Sequence, residues 1–132
     1  MTPPLLIDVL ADPRVTDVAG LLDEQVRFRS PYADYTGRAD VAHLVGLIRE
    51  VLVSTRITRQ LSAGPDTMSQ FEGRVGGDGR VDEVQGVLVE HRDDTGLLVE
   101  AMLTVRPYAG LRASMRAMEP LMAAAPLPST LR

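Results

Sequence analysis

From Ile57 to Arg106 apolar and polar residues alternate in four stretches, and the breaks between the stretches are short: Gly64-Pro65, "GGDG" at 76–79 and "DDTG" at 93–96. A period of two is that of a strand with one buried face. Breaks this tight join antiparallel neighbours. The region therefore reads as a three- or four-stranded meander, with strands at 57–63, 67–75, 80–92 and 97–106. Immediately before it the period is that of a helix, roughly 38 to 53, with Val41, Leu44, Val45, Ile48, Val51 and Leu52 as its apolar stripe and Gly37 just ahead. A meander needs something to bury its apolar face against, and this helix is the candidate.

The remaining elements are shorter. Leu5, Leu6, Val9 and Leu10 suit one or two helical turns after Pro3-Pro4, and Asp12-Pro13 breaks them. Val15, Val18, Leu21 and Leu22 have the spacing of a second short helix. Val26, Phe28 and Ser30 alternate with Arg27 and Arg29 as a half-buried strand, which Pro31 stops because it cannot donate to the ladder. After Pro107 a last helix is expected, with Leu111, Met115, Met118 and Met122 along one side and Pro120 ending or bending it. The segment 124–132 reads as a flexible tail. A length of 132 residues is enough for one domain spanning 1–132. The fold class expected is α+β: a cone-shaped, strongly bent antiparallel sheet wrapped on a long helix, with an extra C-terminal helix and a hollow between helix and sheet.

Several function classes are disfavoured by what is absent. With no cysteine there is no disulfide, thiolate nucleophile or thiolate metal site. A net charge of -4 gives no long-range attraction toward nucleic acid or anionic lipid, and all 14 basic residues are Arg, which reads as coding bias. No apolar run approaches about 20 residues, and the N-terminus lacks the pattern of a signal peptide, so a cytoplasmic protein is expected. His43 and His91 have no ligand spacing, so no metal is expected. No nucleophile elbow, P-loop or dinucleotide fingerprint appears, and no cofactor is expected.

The element order, with "VRFRSP", "YTGRADVAHLVGLI" and "HRDDTGLLVEAMLTV" in place, resembles the nuclear transport factor 2-like superfamily, to which SnoaL-like polyketide cyclases and ketosteroid isomerases belong. The likeness covers about residues 5 to 107. It implies a cystatin-like cone, a homodimer paired through the outer sheet face and a small apolar molecule inside. It also implies where an isomerase would carry its catalytic groups. The base would precede the strand-ending proline, where this chain has Ser30. The acid would lie in the first strand of the hairpin, near Leu88, and a tyrosine would stand near Leu5 or Leu6. None of these residues can supply the chemistry, so ketosteroid isomerase activity is not expected.

Pairing about the "DDTG" turn sets which side chains point inward. With Arg92 opposite Leu97, Val84, Gly86, Leu88 and Glu90 share the inner face with Ala101, Leu103 and Val105, while His91, Glu100 and Met102 face out. A slip of one residue exchanges Glu90 for His91. In the first register Glu90 is a carboxyl on an apolar face, where desolvation raises a pKa and suits proton transfer; its plainer role is a solvated or Arg-paired acid at the sheet rim. Arg59, in phase with Ile57 and Leu61, is placed to anchor an anionic ligand group or to neutralise Glu90, or simply to lay its stem on the core. His91 and Glu100 are diagonal neighbours able to form an acid–base pair, or an ordinary cross-strand pair. Tyr32 and Tyr35 are placed to close over the mouth of the hollow.

Three readings follow. In the first the chain binds a small, largely apolar molecule in a cavity lined by Val26, Phe28, Leu61, Phe71, Leu88, Leu103 and Val105, with Ser30, Tyr32, Tyr35, Arg59 and Glu90 as polar contacts. In the second it is a cyclase, isomerase or hydrolase using Glu90, or His91 with Glu100. In the third it is a non-catalytic dimeric scaffold whose cone is filled by its own side chains. The first two require a roomy hollow; an interior closed by Phe28, Phe71 and the methionines favours the third.

Overall fold

A computed structural model of the chain describes residues 4–77 and 80–131. Helix α1 (Leu6–Ala11) is followed by a single 3-10 turn at Ala19–Leu21, strands β1 (Leu22–Arg29) and β2 (Asp34–Thr36), and helix α2 (Arg38–Val51). Strands β3 (Leu52–Ala63), β4 (Asp66–Gly77), β5 (Arg80–Arg92) and β6 (Leu98–Arg106), helix α3 (Tyr108–Ala124) and a 3-10 turn at Pro128–Leu131 complete it. The six strands form one curved, unclosed sheet in the order β2-β1-β6-β5-β4-β3. The meander is antiparallel throughout, but β1 joins β6 in parallel, so the whole sheet is mixed. The α+β cone holds. Asp78 and Gly79 of the expected 76–79 turn lie outside the described residues.

The inner face of the sheet and the apolar side of α2 share one core. Val26 and Phe28 of β1, Phe71 of β4, Leu88 of β5 and Val41, Leu44 and Val45 of α2 are all fully buried. Two glycines position this core. Gly37 caps α2 at φ 101°, a backbone conformation that strains other residues, and its N–H donates to the Val26 carbonyl at 2.8 Å. Gly86 faces inward opposite Phe71: a Cβ there would stand 2.4 Å from Phe71 Cζ and 2.5 Å from the Thr104 carbonyl oxygen. The sheet accepts the phenylalanine ring only because position 86 has no side chain.

Three expectations need correction. The helix expected at 15–22 is one 3-10 turn, because the Asp17 carboxylate accepts the Gly20 N–H at 2.9 Å and Leu22 already pairs with Leu98 in the sheet. The helix expected to reach 53 stops at Val51 and runs straight into β3, so Leu52 is buried as a strand residue opposite Val75. The segment from 124, expected as a free tail, docks on α2. His43 Nε2–H donates to the Ala125 carbonyl at 2.6 Å, and Asp40 accepts both the N–H (2.9 Å) and the hydroxyl of Ser129. Arg132 lies outside the described residues.

Candidate functional site

The register about the second turn keeps Glu90 inside. Leu88 stands opposite Leu103 and Glu90 opposite Ala101, two residues along from the partners that Arg92 opposite Leu97 implies, and a bulge after His91 sets Arg92 opposite Leu98; the shift by two keeps each side chain on its expected face. The Glu90 carboxylate, 1% exposed, accepts the Leu6 N–H at 2.6 Å and the Ile7 N–H at 3.1 Å. Two of the unsatisfied amides that open every helix are thus capped from a strand 84 residues away. Burial pushes the Glu90 pKa up, and the two amides and the charge of Arg92 pull against it. Both oxygens face α1, so the group holds the helix in place rather than meeting a guest.

The cone itself is occupied. Leu111, Ser114 and Met118 of α3 lie over its mouth against Tyr32, Ile48, Leu103 and Val105, leaving a void of about 30 Å³. A single water's share of liquid volume is about 30 Å³, and an apolar cavity that takes benzene measures about 150 Å³. Val26, Phe28, Phe71, Leu88 and Leu103, expected to line a cavity, are core residues in contact with the protein itself. Outside the plug, Tyr32 and Tyr35 meet at an open notch of about 170 Å³ whose other walls are Met115, Met118, Glu119 and Met122. Burial raises the pKa of both phenols, and in Tyr32 the neighbouring Tyr35 adds to it. Ser30 is engaged locally: its Oγ donates to the Ala33 carbonyl at 2.8 Å and accepts the Ala33 N–H at 3.1 Å, closing the turn between β1 and β2.

Arg59 and Leu61 do not reach the interior. Ile57 is opposite the inward Phe71, but a bulge between Ile57 and Arg59 shifts the phase. Gln60 then faces inward opposite Ser69, while Arg59 and Leu61 turn outward opposite Gln70 and Met68. His91 and Glu100 are direct cross-strand neighbours, not diagonal ones, and are not bonded to each other. His91 Nδ1 lies 2.6 Å from Asp66 Oδ1, and Glu100 stands 3.8 Å from Arg27 and 3.9 Å from Arg29. Both pairs sit half-exposed on the convex face. Asp66 was not singled out from sequence; its place just after Gly64-Pro65, beside the strand end bearing His91, was the available signal.

The bulge at Arg59 also builds a feature that alternation hides. Leu61 is opposite Met68, Met68 opposite Val89, and Val89 opposite Met102, so one apolar row crosses four strands on the convex face. Leu61 is 57% exposed, and Met68 and Met102 are each 43% exposed. Among the described residues no group of three or more His, Asp or Glu is placed to hold a metal ion, and no helix is long and apolar enough to cross a membrane.

A curved, open sheet wrapped on one long helix is the nuclear transport factor 2-like, or cystatin-like, fold. Solved structures share it. An uncharacterized protein with a cystatin-like fold from Silicibacter pomeroyi superposes with a TM-score of 0.81 at 27% identity, over 91% of this chain and 84% of that one. A steroid delta-isomerase from Pseudomonas aeruginosa does so with a TM-score of 0.76 at 25% identity, over 94% and 97%. An LEH-like epoxide hydrolase from M. tuberculosis shares the fold at 13% identity, with a TM-score of 0.66 over 91% of each chain. No protein-family model and no curated protein matches the chain.

Proposed function

We propose that the chain is a non-catalytic, cytoplasmic homodimer whose cone is filled by its own side chains and whose convex sheet face pairs with a second copy. The exposed row Leu61–Met68–Val89–Met102 carries this reading. Apolar side chains aligned across four strands on a face of mixed polarity are what an interface core requires. One flank of the row bears Asp66, His91 and Glu100, and the other bears Arg59 beside the neutral Gln70, Val87 and Thr104. A two-fold axis along the row sets these unlike flanks against each other. A proton-transfer role for Glu90 has no support in the geometry, since both carboxylate oxygens are engaged by backbone amides.

The notch beneath Tyr32 and Tyr35 supports a second reading, in which a small apolar molecule lodges there and displaces part of α3. The fold shared with a steroid delta-isomerase and an epoxide hydrolase, proteins that act on small molecules, lends it weight. Met68→Glu with Met102→Glu, followed by sedimentation velocity and native mass spectrometry, separates the two. The row substitutions are expected to give single chains with unchanged secondary structure. An assembly that survives them refutes the interface, and a retained apolar guest that is lost on Tyr32→Ala favours the second reading.

A further inference from the structure

At the end of the sheet away from the 93–96 turn, side chains from four strands line an open groove of about 700 Å³. Arg56 of β3, Glu72 and Arg74 of β4, Glu83 and Gln85 of β5 and Arg106 of β6 supply its polar groups. We propose that this groove binds a small molecule bearing carboxylate or phosphate oxygens, held between Arg74 and Arg106.

Register and pairing support it. Arg56, Glu72, Gln85 and Arg106 stand in one cross-strand row, and Arg74 and Glu83 face each other in the next. Arg56 is satisfied by Glu72 at 2.9 Å. Among the described residues Arg106 donates only to the neutral Gln85 carbonyl oxygen, and Arg74 has neither hydrogen bond nor ion pair. Two guanidinium groups without a carboxylate partner among the described residues thus flank β5 from either side, with the Gln85 amide between them. Three arginines against two glutamates leave the groove one positive charge in surplus, on a chain whose net charge is -4. Guanidinium forks match the planar geometry of carboxylate and phosphate. Because every basic residue of the chain is Arg, the weight lies on their convergence and not on the choice of Arg over Lys. Glu83 faces Arg74 across the strands without an ion pair among the described residues, and its negative charge opposes an incoming anion. The row lies on the same convex face, four residues along β4 from Met68, about 13 Å at strand rise.

The test is titration of the intact chain with inorganic pyrophosphate and with citrate at low ionic strength, followed by calorimetry and amide chemical shifts. One saturable site for either probe is expected. Arg74→Gln and Arg106→Gln should each weaken it by about tenfold. Glu83→Gln should strengthen it, and Arg59→Gln on the same face should leave it unchanged. Unfolding midpoints of these exposed-residue variants control for folding. Absence of saturable binding by both probes, or undiminished binding in the Arg74→Gln/Arg106→Gln double variant, overturns the proposal.

Discussion

Glu90→Ala tests whether the buried carboxylate is structural. The substitution strands the Leu6 and Ile7 amides, which now donate to it at 2.6 and 3.1 Å inside the core. A buried donor left unpaired costs about 1–3 kcal/mol. Against this, the variant no longer buries a charge, and the raised pKa shows that this burial is unfavourable. The balance is a loss of about 2–4 kcal/mol at neutral pH. For a chain of this size that lowers the melting temperature by roughly 10 °C. The pH dependence carries its own sign. A carboxyl whose folded pKa lies above its ordinary value of 4.5 binds its proton more tightly when folded. Its contribution is full below that ordinary value and is lost as pH rises through the raised one. Wild type should therefore gain stability over Glu90→Ala as pH falls from neutral toward 4.5. Urea unfolding of both proteins at several pH values measures this. A variant within about 0.5 kcal/mol of wild type, the ordinary scatter of surface substitutions, refutes the capping account, and a gap that narrows toward acid contradicts the raised pKa.

Gly86→Ala places a methyl 2.4 Å from Phe71 Cζ and should cost about 1–3 kcal/mol in urea unfolding; adding Phe71→Leu should recover part of it, and a Gly86→Ala protein as stable as wild type contradicts the packing described. Releasing the C-terminal segment with Asp40→Ala and His43→Ala removes its three anchoring hydrogen bonds to α2. Amide exchange at residues 125–131 should then approach free-peptide rates while α2 stays protected; unchanged protection at those amides counts against the latch.

The elements that repeat a period over many residues were legible. The stripe of α2 and the alternation of β4, β5 and β6 follow from residues close in sequence, whereas the residues left two registers open at the 93–96 turn, and the observed pairing keeps Glu90 inward at two residues from the expected one. What was not legible depends on single-residue irregularities or distant partners. The bulge in β3 changes the phase at Arg59, and nothing in "RITRQLSA" marks it, so two expected inward residues face out. Strand β2 is three residues long, too short for alternation to register. Glu90 was found, but its partner was not, because the amides it caps belong to a helix 84 residues away. The methionine stripe of α3 was seen without the surface it covers; only the fold places Met118 in the mouth of the cone and thereby closes the hollow that a ligand needs.

The most direct measurement is the molar mass of the wild-type chain in dilute neutral solution by light scattering coupled to gel filtration. Pairing of the convex faces predicts twice the 14.3 kDa of one chain. A mass of one chain across the accessible concentration range contradicts it, and leaves the Leu61–Met68–Val89–Met102 row as bare surface.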